Sequence, residues 1–599
     1  MEYNLNKAAA GTRKNATWGP LGKLLALMSH ERPRLIAALV MIMVNSGLNL
    51  LGPWLSARVI DNYIVTKVPN YNEVLRYALV FLAMFVTALG TGYTQTRLMA
   101  GFGQRVLFTL RNAIFGKLQE LPVAFFNQNK AGDLISRVNN DTDKVNQFFS
   151  QSLMQFLSSI FIMAGAAIFM LCLNFRLGLA ALAPGVALYL FTKATSAWVK
   201  RQNARSMTST GGLSAEIQES IQNFKVIIAF NRRDYFRQKF QRANQDNYHT
   251  AIRAGIANNL FTPVYGFCAG VGQLVVLLYG IHLIRQGQTG NGAFKFGELV
   301  AFLSYSVNFY NPLRQLAALW ANFQVALAGW DRISAILNME TNLRILDGAG
   351  ATTHHGAGGG AALMSFRDVY FHYPDGKEVL HDINFDLEQG KTYAFIGPTG
   401  GGKTTTANLI ARLYDPTKGT VRLHGRDIRT YDAAERSQKI GFILQEPILF
   451  SGTLKENILY GNPAYSLLNR EQLLDVLAQE GLDGLLDRFD AGLDTPVSSG
   501  GETLSLGQRQ LIAFMRAVLR HPDILILDEA TANIDTVTEQ LLESILRKLP
   551  ETTTRVIIAH RLNTIENADE IYFVNSGEVA RAGSLQDAVG MLLNGKRVS

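Results

Sequence analysis

Cysteine is nearly absent from this chain of 599 residues: Cys172 and Cys268 are the only two, and each stands inside an apolar stretch. That excludes a disulfide framework and a cysteine-held zinc site, and a small thiol buried among apolar neighbours is the expectation for both. A cleavable secretory leader is not expected either. Met1 to Pro20 is polar and carries Lys7, Arg13 and Lys14, with no short apolar run and cleavage site after it, so the first apolar helix is expected to serve as its own insertion signal. Histidine offers no metal cluster: the adjacent His354 and His355 stand in a Gly-Ala run without cysteines or carboxylates around them.

What the chain does have is length and an uneven distribution of apolar residues. It is too long for a single hydrophobic core. Six stretches in the first half approach the roughly 20 helical residues that cross a bilayer: Leu35 to Ala57, Tyr77 to Ala100, Leu153 to Leu173, Leu177 to Lys193, Leu260 to Ile284 and Leu299 to Ala321. Pro184 and the polar run Asn308 to Gln315 make the fourth and sixth less uniform. Lys and Arg beside membrane helices stay on the cytoplasmic face. Arg105, Arg111, Lys117, Lys130, Arg137 and Lys144 fall between stretches two and three, and a longer series from Lys200 to Arg253 falls between four and five. The opposite loops hold few, Arg58, Lys67, Arg76, Arg176, Arg285 and Lys295. The N-terminus, both long loops and the second half are therefore expected in the cytoplasm. The formal net charge of +9 follows from this topology, and no nucleic-acid partner is implied.

Both basic loops show helical spacing, as in Val106, Leu110, Ile114 and Leu118, and should extend the membrane helices. A turn is expected in each, at Asn129 to Asp133 and at Ala215 to Ile221. Asn45, Asn49, Gln273, Asn308, Asn311, Arg314 and Gln315, with Phe309, Tyr310 and Trp320, are polar or aromatic residues that can face a cavity or pair across helices.

The expected domains are a cytoplasmic segment 1–30, a six-helix membrane domain 31–340, a Gly-rich linker 341–362 and a soluble domain 363–599. In the last, the strand-like Thr392 to Ile396 runs into Gly397, Pro398, Thr399, Gly400, Gly401, Gly402, Lys403 and Thr404, then a helical segment opened by Thr405. This G-x-x-x-x-G-K-T pattern in strand, loop, helix context wraps backbone amides around phosphate oxygens. Lys403 brings charge to the β- and γ-phosphates of ATP, and the Thr404 hydroxyl can ligate Mg²⁺. A second apolar strand, Ile524 to Leu527, ends in Asp528 and Glu529. Asp528 there can hold the metal through water, and Glu529 can orient or deprotonate the attacking water. A third, Arg555 to Ala559, ends at His560, placed to sense the γ-phosphate.

Together these residues resemble the ATP-binding cassette family. Leu504-Ser-Leu-Gly-Gln-Arg-Gln510 is similar to its signature L-S-G-G-Q-x-Q. The resemblance implies nucleotide contacts for Ser505, Gly507 and Gln508, adenine stacking for Tyr373, a metal-ligating Q-loop glutamine in Gln445, a D-loop aspartate in Asp535 and a switch histidine in His560. The first half resembles the six-helix domain of fused exporters through Phe125-Phe126, Gly132 to Arg137 and Phe230-Asn231. The implied fold is an all-α membrane domain followed by an α/β P-loop ATPase domain. The implied activity is ATP-driven export by alternating access, in a dimer whose two ATP molecules each lie between the phosphate loop of one cassette and the signature of the other.

Two residues and one segment depart from that pattern. Leu506 replaces the glycine that lets backbone approach the γ-phosphate; Asn533 is unusual in the D-loop; and Thr495 to Gly501 lacks the glutamate often found there. A heterodimer with a reciprocally defective partner is the favoured consequence, and a homodimer with a tolerated substitution is the alternative. The cargo order is a drug or other hydrophobic compound, then lipid, then peptide. An ATP-gated channel or regulator with little turnover is the alternative from another class, and an integral protein of a bacterial inner membrane is the expected setting.

Overall fold

The computed structural model describes residues 3–5, 31–65, 71–287, 294–340, 343, 345–346, 362–374, 376–528, 536–558, 567–584, 586–587 and 590–591. The linker run Asp347 to Gly360, with His354 and His355, lies outside the described residues, as do Glu529, Asn533, Asp535 and His560. The chain divides into two compact units. One comprises Ala9–Gly116 and Gly132–Leu337; the other joins Met1–Ala8 and Lys117–Ala131 to Asn338–Ser599.

The first unit is helical. Its long helices are α1 (Arg32–Val59), α2 (Tyr71–Glu120, which carries the chain on into the other unit), α3 (Leu153–Leu173), α4 (Phe175–Gln222), α5 (Arg233–Asn259), α6 (Phe261–Gly287) and α7 (Phe296–Leu337). Each of the six apolar stretches falls on one of these helices, α5 excepted. Among the described residues five helical spans are long and apolar enough to cross a membrane; α7, interrupted by its Asn308 to Gln315 run, is not among them. Large apolar side chains such as Leu79, Phe85, Ile168 and Leu278 stand exposed on their surfaces, the pattern of helices solvated by lipid tails. Cys172 is exposed on α3 rather than buried, and both cysteines are free. An apolar thiol meets no penalty on a face solvated by lipid.

The turn expected at Ala215 to Ile221 is overturned. Helix α4 continues to Gln222, and the chain reverses through the short helix Phe224–Ala229 and residues 230–232 before α5. Glu216 and Glu219 reach Lys239 of α5 at 3.0 and 2.9 Å, so the acidic residues lace two antiparallel helices instead of solvating a turn. The other turn stands nearly where expected, at Asn129 and Lys130 between the short helices Val123–Gln128 and Ala131–Ser136.

A buried acid ties the base of this unit. Asp141, 2 % exposed in its side chain, sits in a π-helical turn, Arg137–Asp141; it meets Lys144 at 3.3 Å and pairs with Arg332 of α7. Arg137, buried beside it, holds Asp133 at 3.0 Å and donates to the Arg332 carbonyl. Replacing Asp141 by Ala is expected to cost about 1–3 kcal/mol, because the half-exposed Lys144 and Arg332 recover part of the lost interaction from water. A thermal melt of the detergent-purified variant checks this, with a clear fall in Tm expected and an unchanged Tm contradicting it.

The second unit is built on strands β1 (Met364–His372), β2 (Glu378–Leu387), β3 (Thr392–Ile396), β4 (Lys418–Leu423), β5 (Arg426–Asp427), β6 (Ile440–Ile443), β7 (Gly452–Thr453), β8 (Pro496–Val497), β9 (Ile524–Asp528), β10 (Thr554–Ile558), β11 (Glu570–Asn575) and β12 (Glu578–Ala582). The main sheet has the order β12-β11-β3-β10-β9-β6, parallel except for β12. Strands β3 and β9 are buried at every residue, which is why they read as unbroken apolar runs. A smaller antiparallel sheet, β2-β1-β4-β5, meets the main one through packed aromatics, with Phe385 edge-on to Phe395 and tilted against Tyr572. A helical layer around Ile458, Leu473, Leu477, Leu485, Leu511 and Phe514 closes the core on Leu525 and Leu527 of β9.

Candidate functional site

The loop after β3 cannot be built from ordinary residues. Gly397, Gly400 and Gly402 have φ of 143°, 83° and 118°, a region that L side chains avoid. A Cβ at Gly397 would stand 2.0 Å from the Val574 carbonyl oxygen, and one at Gly401 would stand 2.6 Å from the same atom. The loop is thus pressed onto β11 and delivers the chain straight into helix α8 (Lys403–Ile410), with Gly402 as its N-cap. The free amides at the start of this helix and its dipole favour an anion. Lys403 is buried, and its Nζ donates to the Gly397 and Pro398 carbonyls at 2.8 and 3.1 Å, arching over the loop. Thr404 is exposed, whereas Thr405 is buried and its Oγ1 lies 3.1 Å from the Tyr373 hydroxyl.

Strand register aligns the rest. Ile558 of β10 stands opposite both Phe395 of β3 and Asp528 of β9, and Ile443 of β6 stands opposite Leu527. The carboxyl ends of four parallel strands are therefore level, which is where open α/β sheets bind ligands. Asp528 is buried there, and Gln445 is exposed two residues beyond β6. Glu529 follows β9 directly in sequence and His560 follows β10 after Ala559, but both lie outside the described residues, as does Asp535. Thr404, Gln445 and Asp528 supply a hydroxyl, an amide and a carboxylate oxygen, a donor set that suits a hard cation such as Mg²⁺. Among the described residues no group of three or more His, Cys, Asp or Glu could hold a metal ion, so a metal here would rely on such mixed donors.

Tyr373 lies beside this loop with its ring nearly perpendicular to Phe371 (centroids 4.9 Å apart) and Tyr414 (5.1 Å). Sequence reasoning missed Tyr414 and its partner Asn127, whose Nδ2 donates to the Tyr414 hydroxyl at 2.8 Å. Burial pushes the Tyr414 hydroxyl above its ordinary pKa, although the Asn127 bond acts the other way. No spacing signal joins residues 287 positions apart.

The signature belongs to a different element, helix α9 (Leu506–Val518). Ser505 is its N-cap: Ser505 Oγ accepts from the Gln508 amide at 3.1 Å, and Ser505 N donates to Gln508 Oε1 at 2.9 Å, a capping box. Gln508 Nε2 donates to the Arg488 carbonyl. These bonds close locally, so the signature side chains hold their own helix start and none of these contacts reaches the phosphate loop. Leu506 occupies the first helical position without left-handed backbone. The fold itself does not need glycine there. Gly507 follows, half-buried, in the first turn.

In the helical unit, a cavity of about 310 Å³ is lined by Gln95, Gln155, Ser159, Asn308, Asn311 and Gln315, among others. Three of the polar residues singled out in sequence thus share one cavity. Others do not. Asn45 ties α1 to α2 through the Ala88 carbonyl at 2.9 Å, and Asn49 bonds back to Asn45. Tyr310 is buried and donates to the Ala181 carbonyl at 2.7 Å.

Residues 35–313 match the family described as the ABC transporter transmembrane region, and residues 380–532 match the one described as ABC transporter. An uncharacterized ABC transporter ATP-binding protein of Bacillus subtilis (strain 168) is 33% identical across 97% of this chain and 94% of its own length. A fatty acid ABC transporter ATP-binding/permease protein of Mycobacterium bovis is 31% identical over 86% of this chain and 79% of its own. A multidrug resistance ABC transporter ATP-binding and permease protein of Lactococcus lactis is 30% identical over 85% and 84%. With a membrane region and an ATPase domain matched in one chain, and a relative aligned along nearly all of it, this protein belongs to the ABC transporter family, as an integral membrane transporter fused to its own ATP-hydrolysing domain.

Proposed function

We propose that the protein is a half-transporter that pairs with a second, non-identical half and exports a hydrophobic or amphipathic compound by alternating access. The observation that carries the ATP-driven part is the level row of strand ends, with the phosphate loop, Asp528 and Gln445 along one edge. In this reading Gly397 to Thr405 hold the phosphates and Tyr373 stacks on adenine. Thr404 and Gln445 ligate Mg²⁺ directly and Asp528 does so through water; the bound ion would neutralise charge on the β- and γ-phosphates. Glu529 prepares the attacking water and His560 senses the γ-phosphate. Ser505, Gly507, Gln508 and Asp535 serve the site across the dimer. Six helices within 31–340 form the membrane domain, 341–362 the linker and 363–599 the cassette, with the basic loops and cassette in the bacterial cytoplasm.

Cargo is assigned from the cavity at Gln95, Asn308 and Asn311, whose amides sit among Met154, Ile162 and Pro312. Such a wall matches a compound with both apolar and hydrogen-bonding parts, and the relatives' names, fatty acid and multidrug, belong to the same class.

Leu506 is the specific observation that favours a heterodimer. Purified alone in lipid nanodiscs, the chain is expected to hydrolyse Mg-ATP weakly, and Leu506→Gly is expected to raise the rate about tenfold, the equivalent of about 1.4 kcal/mol of barrier. Full activity of the unaltered chain alone, with no gain on Leu506→Gly, would establish the homodimer instead.

A further inference from the structure

Tyr3 and Leu5 are among the most completely buried residues of the protein, at 1% and 0% exposure, although they belong to a segment whose composition reads as a polar tail. What holds them is the short helix Val123–Gln128 and the residue after it. Asn129 Nδ2 donates to the Phe125 carbonyl at 2.8 Å, which fixes the orientation of its amide. The same nitrogen donates to the Tyr3 carbonyl at 2.9 Å, and Asn129 Oδ1 accepts from the Leu5 amide at 3.2 Å. Gln128 Oε1 accepts from the Tyr3 amide at 2.8 Å. Two side-chain amides therefore read three main-chain groups of a tripeptide whose first and third side chains are buried. Side-chain amides carry a donor and an acceptor side by side, which is the complement of a peptide main chain, and Asn129 is itself 9% exposed.

The neighbouring residue connects this clamp to the nucleotide loop. Asn127 donates to the Tyr414 hydroxyl, the Tyr414 ring packs on Tyr373, and the Tyr373 hydroxyl lies 3.1 Å from Thr405 Oγ1, next to Thr404.

We propose that Phe125 to Asn129 form a peptide-binding site, that its ligand is an aromatic-any-leucine segment supplied in cis by Tyr3 to Leu5, and that its occupancy adjusts ATP turnover through Asn127 and Tyr414. The ligand is recognised through its main chain by Asn129 and Gln128, and through two apolar anchors by burial.

The test uses the full chain in nanodiscs beside a variant lacking residues 2–8, with a fluorescent synthetic peptide of residues 1–10 as probe. The peptide should bind the deletion variant and bind the intact chain at least about tenfold more weakly, since the intact site is already filled at high effective concentration. Adding Asn129→Leu to the deletion variant should weaken binding by about tenfold or more, the worth of one to two hydrogen bonds. A peptide carrying Tyr3→Ser and Leu5→Ser should not bind. Equal binding to the intact and deleted chains, or by the doubly substituted peptide, overturns the proposal, and so does binding that is indifferent to Asn129→Leu. Nucleotide binding by each variant, read with a fluorescent ATP analogue, reports that it is folded. The ATPase arm rests on the function proposed above: the deletion should change the rate and the peptide should reverse that change, except where Asn127→Ala cuts the link. Peptide binding needs no hydrolysis, so failure of the proposed pump and failure of the clamp are separately visible.

Discussion

Replacing Glu529 by Gln is expected to lower the Mg-dependent ATPase rate by roughly 10²–10⁴-fold, the usual contribution of a positioned general base, while leaving ATP affinity within about twofold, because the phosphates are held by the loop rather than by this residue. The assignment rests on β9. Its last residue, Asp528, is buried at a strand end level with the phosphate loop, and Glu529 is the next residue in the chain. The substitution keeps size and a polar head group while removing the negative charge and with it the ability to accept a proton, so a loss of turnover without a loss of binding separates chemistry from nucleotide capture. The measurement is a steady-state ATPase assay beside a fluorescent-nucleotide titration, both in nanodiscs. Turnover within threefold of the unaltered chain would remove Glu529 from the mechanism and point to the partner half as the hydrolytic site.

How far the sequence could be read depends on the range of the interaction concerned. The strand, glycine loop and helix that follow one another at Thr392 to Ile410 were legible because the glycines, the lysine and the apolar strand are neighbours in sequence, and the left-handed φ at Gly400 and Gly402 is the reason for that composition. The level strand ends were legible only in part. Apolar runs identified β3, β9 and β10, but the register that sets the end of β6, two residues before Gln445, level with Leu527 of β9 is a property of the folded sheet. The turn at Ala215 to Ile221 was misread because its acidic residues look solvated, whereas Lys239 of a helix further along the chain satisfies them. Asn45 and Tyr310 were open to two readings, a cavity or a pairing across helices, because a polar group in an apolar helix has two outlets; here both bond across to a neighbouring helix's carbonyl. Tyr3 to Leu5 and the Asn127–Tyr414 link were invisible for the same reason in a stronger form: their partners lie more than a hundred residues away.

Replacement of Lys403 by Ala is expected to remove both turnover and binding, a different signature from that of Glu529→Gln. Two effects combine. Lys403 supplies the one full positive charge in the loop sequence Gly397 to Thr404, and losing a charged group aimed at phosphate oxygens in a partly dry site lowers kcat by roughly 10²–10³-fold. Its Nζ also bridges the Gly397 and Pro398 carbonyls, so the variant loses a support of the loop before any nucleotide arrives. The second effect predicts a lower melting temperature without nucleotide and a much smaller upward shift when Mg-ATP is added, since stabilisation by a ligand scales with its occupancy of the folded state. Lys403→Arg distinguishes the two contributions. It keeps the charge but not the slender ammonium that fits over the loop in a buried position, so it should recover part of the affinity and little of the rate. An Ala variant that still gains full thermal protection from Mg-ATP would show that the loop amides alone hold the nucleotide, and that Lys403 acts in the chemical step only.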